Sequence, residues 1–376
     1  MSGARFEDRV SEEAAAFAAT QLPDIRTQII TDLALPDHVN PALEVYAMHA
    51  RLGMQLRADP AERDPYRQAR LLIGAELSRL RSAALYWVSP EMTRLCLAAA
   101  PGMPAFYPRP ADLPARHGLI YFALPIGDYE PWDFIAYADG ALSEAPPAPP
   151  GGYQVCAATW GPWDNGGRWK HGGTWFTFYT VPGARAAAGL AASGLSEEEV
   201  RQLAARMPPL RIDNEAACPA SKADHPPGEP PLEEAVRDTT STSWWMHLVL
   251  CAFRLMETAR TAQVSEQPVP RATRKRAARA QVARPDSPVQ LVDVTAGGVR
   301  RELVAGASRT GRDYHVRWVV SGHWRNQWYP ASEVHRPRWI DGYVKGPAGA
   351  PLKVSETVHV FRNSPGAGPP ASGQQQ

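Results

Sequence analysis

The run from Trp244 to Met256, WWMHLVLCAFRLM, is the most apolar stretch of the chain and is broken only by His247 and Arg254. It is shorter than the roughly 20 residues that cross a bilayer. It therefore reads as a helix buried inside a protein body, and the rest of the chain must supply the layers that cover it. A chain of 376 residues, 44% hydrophobic and 21% charged, is long enough for two or three domains with a substantial core. Its 37 prolines argue for many turns and at least one tether.

The flanking sequence gives the layers. MSGARFEDRVSEEAAAFAAT carries acids early and reads as an amphipathic helix, not as a signal peptide. Pro41 opens a second helix, in which Leu43, Ala47, Ala50 and Met54 recur at helical spacing. Tyr66 to Val88 continues the helical pattern through Leu72, Leu77, Leu80 and Ala84, and Pro90, Pro101 and Pro104 then interrupt it. From His117 the character changes. GLIYFALPI, DFIAYADG, Tyr153 to Trp160 and Thr174 to Val181 are short aromatic and β-branched runs between Gly and Pro turns, as in a mostly antiparallel sheet. Ser196 followed by Glu199 fits a helix start with a capping box.

Charge is distributed unevenly. From Arg271 to the end the chain holds 17 Lys+Arg against 7 Asp+Glu, which leaves the remainder net acidic by nine although the whole chain carries +1. RATRKRAARAQVARPDSP, with Arg271, Arg274, Lys275, Arg276 and Arg279, reads as a basic tether or conditionally ordered arm. Beyond it VQLVDV, GGVRRELV, YHVRWVVSGHW, RPRWIDGYV and VSETVHVFR alternate like hairpin strands, and SPGAGPPASGQQQ reads as a disordered tail.

The C-terminal strands carry the richest side chains. Candidates for contact with nucleic acid are His315, Arg317, His323, Trp324, Arg325, Gln327, Trp328, Arg336, Arg338 and Lys345. Cations neutralise phosphates, and Trp offers a flat face to an unpaired base. The same residues also suit a protein-docking surface, or simply the core and solvated face of a small β-module. His315, His323 and His335 admit a second reading, as general acid and base of a metal-independent ribonuclease.

Other chemistry finds little support. The cysteines Cys96, Cys156, Cys218 and Cys251 form no CxxC pair, which suggests small core residues in a reducing compartment. No metal-ligand spacing is present, so neither a metal nor a cofactor is expected. TWGPWDNGGRWKHGG lacks the order of a phosphate-binding loop and reads as a strand connection, with an aromatic-lined ligand loop as the other reading. GxSxG, HExxH and dinucleotide-binding fingerprints are absent.

At YHVRWVVSGHWRNQWY the chain resembles the type V-A anti-CRISPR family of phages and plasmids. The residues that carry the resemblance are His315-Val-Arg317, Gly322-His323-Trp324-Arg325 and Trp328, with Arg338-Trp339-Ile340 downstream. The order of elements is also similar: helices, the LIYFALPI strand, an aromatic sheet, a Trp- and Leu-rich helix, a basic linker and a GHW hairpin. The resemblance implies a translation-coupled activity in which a nascent N-terminal peptide is recognised and the effector nuclease message is lost. It implies an acidic body that holds peptide, and a basic module that faces RNA or the ribosome.

The expectation is an α+β protein of the cytoplasm without a membrane partner. Residues 1–116 form a helical region, 117–265 a central antiparallel sheet with packed helices, 266–288 a basic linker, 289–363 a basic β-module and 364–376 a tail. Its partners are RNA or ribonucleoprotein, including the translating ribosome, and the nascent polypeptide of a target protein.

Overall fold

The computed structural model describes residues 6–52, 58–129, 134–136, 142–144, 153–180, 210–295 and 318–345. The chain divides into two units, one of residues 1–298 with 323–340 and one of residues 299–322 with 341–376.

The first unit opens with α1 (Phe6–Leu33), α2 (Pro41–Leu52) and α3 (Pro65–Ser82). Pro65 sits in the first turn of α3, where no backbone N–H is needed, and Asp64 accepts from the Arg67 amide at 2.7 Å. Strand β1 (Ala84–Val88) follows, then α4 (Pro90–Ala99). The helical pattern expected through Val88 thus stops at Ser82. ALYWV is aromatic and β-branched and is buried on both faces, so it shows neither helical spacing nor strand alternation. Pro90 likewise begins a helix: it occupies the first turn of α4 behind Ser89, whose Oγ accepts from the Met92 amide at 3.1 Å.

The strands that follow are β2 (Gly118–Phe122), β3 (Gly127–Tyr129), β4 (Phe134–Ala136), β5 (Leu142–Glu144), β6 (Tyr153–Trp163), β7 (Gly173–Thr180) and β8 (Arg211–Pro219). Next come the short helix α5 (Leu232–Ala235), the apolar helix α6 (Thr242–Met256), β9 (Ala262–Gln267), α7 (Arg271–Arg279) and β10 (Val289–Val294). The large sheet runs in the order β8-β7-β6-β2-β1-β10-β9, with β3 also paired to β6. Its pairings are antiparallel except β1 with β2 and β1 with β10. The fold is therefore mixed α and β, and α4 makes the crossover between the parallel strands β1 and β2.

Alternation along each strand sends side chains to two helical layers. Tyr86, Val88, Ile120, Phe122, Trp160, Phe176 and Phe178 pack with α4 and α6. Leu85, Trp87, Leu119, Trp175 and Tyr179 pack with α1, α2, α3 and α7. Helix α6 is buried from Trp244 to Leu255, as its composition requires. Among the described residues no helix is long and apolar enough to cross a membrane.

The basic segment and the expected C-terminal module are arranged differently from the sequence expectation. Residues 271–279 form helix α7, whose Thr273 and Ala277 are buried in the α1 layer. VQLVDV is β10, an interior strand of the large sheet between β1 and β9. Strands β12 (His323–Tyr329) and β13 (Val334–Ile340) belong to the first unit. In the second unit, β11 (Trp318–Val320) pairs antiparallel with β14 (Tyr343–Lys345). The places of α7, β10 and the β12–β13 hairpin rest on contacts with α1, β1 and α4, about two hundred residues or more earlier in the chain, which local pattern does not encode. The helix start at Ser196, the strands expected in 299–304 and 354–362 and the tail from 364 lie outside the described residues.

Candidate nucleic-acid interface

The β12–β13 hairpin turns through Pro330–Ser332 and Glu333, the latter in the left-handed region at φ 50°. Its register pairs Trp324 with Trp339, Arg325 with Arg338, Gln327 with Arg336 and Trp328 with His335. Alternation therefore places positions 324, 326, 328, 335, 337 and 339 on one face and 323, 325, 327, 336, 338 and 340 on the other.

Positions 324, 337 and 339 of the first face hold the hairpin to the body, joined by Arg336 from the other face. Trp324 and Trp339 stack edge to face at 5.2 Å and pack on the α4–α6 core. The Trp324 indole N–H donates to the Ala99 carbonyl at 2.8 Å, and Arg254 Nε donates to the Pro337 carbonyl at 3.2 Å. A charged centre completes the anchor. Asp112, almost fully buried, forms ion pairs with Arg336 at 2.8 Å and with Arg109 and Arg254 at 3.7 Å. The Arg336 contact is an ion pair that does not meet hydrogen-bond geometry at Asp112 Oδ1, so its strength is chiefly Coulombic. Arg254 also reaches Glu257 at 2.5 Å. The guanidinium that interrupts the apolar helix is thus the post on which the hairpin is mounted. A charge inside a run as apolar as Trp244–Met256 requires a buried partner, and that requirement was the sequence signal for this centre.

The exposed side chains are His323, Arg325, Asn326, Trp328, His335 and Arg338. Arg325 and Arg338 stand directly opposite each other and form no ion pair with a described residue. Like charges at opposed positions repel, so an anion between them relieves the fold of a local cost. Trp328 is 43% exposed and its ring lies 4.8 Å from that of His335, at the turn end of the hairpin. The two guanidinium groups, without an ion-pair partner among the described residues, suit a phosphate on one face, and the Trp328 ring on the other face suits an unpaired base.

The remaining expected residues separate into clear groups. Trp324 and Arg336 are engaged by the body, with Arg336 only 17% exposed. Gln327 is half-buried and donates to the Trp328 carbonyl at 2.9 Å. His315 and Arg317 lie outside the described residues, and Lys345 is in β14 of the second unit. Arg271, Arg274, Lys275, Arg276 and Arg279 are on α7, in the helical layer on the other side of the sheet from the hairpin. The two basic regions are therefore not brought together.

His323 and His335 do not converge either, and His315 lies outside the described residues. His323 is paired with Ile340, whereas His335 is paired with Trp328, on the opposite face of the hairpin. Five residues separate positions 323 and 328, about 16 Å at the rise of a strand. His323 and His335 are therefore too far apart to act as acid and base on one phosphate.

Two other groupings carry ionisable side chains. A cleft of about 570 Å³ beside the hairpin anchor is lined by Tyr86, Phe253 and Met256, with Asp112, Glu257 and Glu266 as carboxylates. Burial, and the Asp112 charge secondarily, raise the Glu257 carboxyl, against the pull of Arg254. On the other side of the sheet, Glu76 accepts from Thr159 at 2.6 Å, Thr177 at 2.9 Å and the Tyr179 hydroxyl, and pairs with Arg79 at 2.6 Å. Arg79 also lies over the Trp175 ring at 5.6 Å. Glu215 and Tyr46 adjoin this centre. Burial first, and the Glu76 charge second, push Glu215 up to about 8. Every member is buried, so this centre acts as a polar brace between α2, α3 and the sheet.

The Gly-rich segment after β6 is the connection to β7. Asn165, Gly166, Gly167 and Gly172 take positive φ there, and Asp224 accepts from the Lys170 and His171 amides at 3.2 and 2.9 Å. All four cysteines are buried and unbridged. Among the described residues no group of His, Cys, Asp and Glu has the arrangement of a metal site.

No family model matches the chain, and no curated protein matches it. Among solved structures it is similar to the crystal structure of AcrVA2, with 12% identity over 89% of this chain and 96% of that chain, at a TM-score of 0.25.

Proposed function

We propose that the chain is a non-enzymatic RNA-binding protein whose β12–β13 hairpin receives a single strand that passes around its turn end, with Arg325 and Arg338 on phosphate at one face and Trp328 under an unpaired base at the other. The observation that carries this reading is the opposed Arg325 and Arg338, which form no ion pair with a described residue, with Trp328 exposed on the other face at the turn end of a hairpin held to the body by Trp324, Trp339 and Asp112. The separation of His323 from His335 favours binding over cleavage.

The resemblance of His315 to Trp328 to the type V-A anti-CRISPR family sets this binding in a counter-defence role. On that reading the RNA or ribosome meets the hairpin while a nascent polypeptide of the target is held by the acidic body, and the target transcript is lowered. The cleft lined by Glu257, Glu266 and Tyr86 has the mixed apolar and acidic lining that a basic peptide side chain needs.

Fluorescence anisotropy of the full chain with a generic single-stranded RNA, across a salt series, tests the reading. The expected log affinity falls with log salt by about 0.7 per phosphate neutralised. Arg325→Ala with Arg338→Ala should make that slope shallower by about 1.4. Trp328→Ala should weaken binding by about 1–3 kcal/mol with the slope unchanged. Folded protein that ignores RNA at low salt would falsify the reading and leave a protein-docking surface. RNA shortened during incubation, and spared by His323→Ala, would overturn the non-enzymatic part.

A further inference from the structure

Helix α7 presents Arg271, Arg274, Lys275 and Arg279 to solvent, and none of them forms an ion pair with a described residue. Little in the helix itself favours this arrangement. Arg271, Lys275 and Arg279 repel at i,i+4 spacing, and Arg271 and Arg274 oppose the positive end of the helix dipole. The first turn has no acid, and Pro270 offers no side-chain cap. Nine such residues would not hold a helix in isolation.

The fold holds them instead. Thr273 and Ala277 are buried against the α1 layer, and Val269 and Val282 are buried on either side. The fifth cation, Arg276, makes two bonds to Asp24 of α1 at 2.9 and 2.6 Å and a third to Thr273 at 2.9 Å. The Ala283 amide donates to the Arg81 carbonyl at 2.9 Å beyond the helix end. Tertiary packing thus fixes four cations whose mutual repulsion it must overcome.

We infer that α7 is a second RNA site, distinct from the hairpin, and that it takes the phosphate backbone of paired RNA. Arg271, Lys275 and Arg279 follow one another every four residues, about 6 Å along the helix, which is comparable with the separation of consecutive phosphates on one strand. Three of the four cations are arginines, whose planar fork matches phosphate. Residues 271–284 include no aromatic side chain, so unpaired bases have nothing to stack on. A regular duplex recognised through its backbone asks for none. Nor does the exposed side of α7 carry a large apolar residue to enter a membrane. The hairpin anchors in the α4–α6 layer and α7 in the α1–α3 layer, so the two sites lie on opposite sides of the sheet.

The experiment uses the full chain with a blunt RNA duplex of about 16 base pairs, the span a double-strand reader covers, and a single strand of the same length. The variant Arg271→Ala, Arg274→Ala, Lys275→Ala, Arg279→Ala should lose about tenfold or more in duplex affinity, with a salt slope shallower by about 0.9 per cation removed. Its single-strand affinity should be unchanged. Arg325→Ala with Arg338→Ala should show the reverse. Duplex affinity retained by the quadruple variant, or lost with the hairpin variant, overturns the inference. Equal affinity for polyglutamate, or for vesicles of phosphatidylserine and phosphatidylcholine in equal parts, also overturns it in favour of a general acidic partner. Failure of the single-strand arm alone removes the hairpin reading and leaves α7 standing.

Discussion

At the scale of single residues, the decisive features are charges inside the body. Glu215 sits beside the Glu76 centre with its carboxyl pushed up from 4.5 to about 8. Between those pH values the folded chain keeps a proton that the unfolded chain has released, so stability falls as pH rises across the window. Glu215→Gln should flatten that dependence and raise the melting temperature at pH 8, read by a thermal melt against pH. A wild-type melt that does not fall between pH 5 and 8 would remove this role for Glu215. His247 acts in the other direction. Burial lowers its pKa, its Nε2 lies 3.1 Å from the Ala100 carbonyl, and the unfolded chain takes up the proton first as pH drops. Stability contributed by neutral His247 is therefore lost below about pH 6.5, the ordinary value for this side chain. Asp112 offers a separate test, because it is the buried carboxylate that Arg336 pairs with and that Arg254 shares with Glu257. Asp112→Ala should cost about 3–5 kcal/mol in urea unfolding. It should also remove amide protection from 323–340, whereas Arg325→Ala leaves that protection intact.

At the scale of elements, packing density sets what each segment tolerates. Strand β2 begins at Gly118 because the Trp160 ring occupies the place where a Cβ would go. Trp160 in turn packs on Phe253 at 4.7 Å and on Tyr86 at 5.6 Å, so it has no room to yield. Gly118→Val should destabilise by about 1–3 kcal/mol or more. Gly74, on the exposed side of α3, meets nothing within 4 Å, and Gly74→Ala should stabilise by about 0.5–1 kcal/mol. Paired denaturation curves check both, and equal effects would mean that helix propensity and not ring contact governs these positions. The hairpin follows the same logic. It lies in the first unit because Trp324 and Trp339 find a core to pack against, whereas Arg325 and Arg338 stay in solvent.

At the scale of the whole molecule, the sequence determined what is local. The helix at Trp244–Met256, the strand at Gly118–Phe122, the Pro41 helix start and the aromatic β6 and β7 follow from composition, alternation and turn residues. So did the richness of the GHW stretch in cations and tryptophan and their alternation between two strand faces, since a strand's period of two is readable from the chain. The tertiary structure decided the rest. ALYWV and VQLVDV are neighbouring parallel strands, a pairing across about two hundred residues that no local pattern encodes. RATRKRAAR is a helix because α1 receives Thr273 and Ala277, although its own charges oppose one. Arg336 and Trp324 looked like ligand-binding residues by type, but Asp112 and Ala99 engage them. A side chain's chemistry is fixed by the sequence, but its availability depends on which distant groups the fold places beside it. Here that difference separates Arg325 and Arg338, which face solvent, from Arg254 and Arg336, which hold the hairpin to the body.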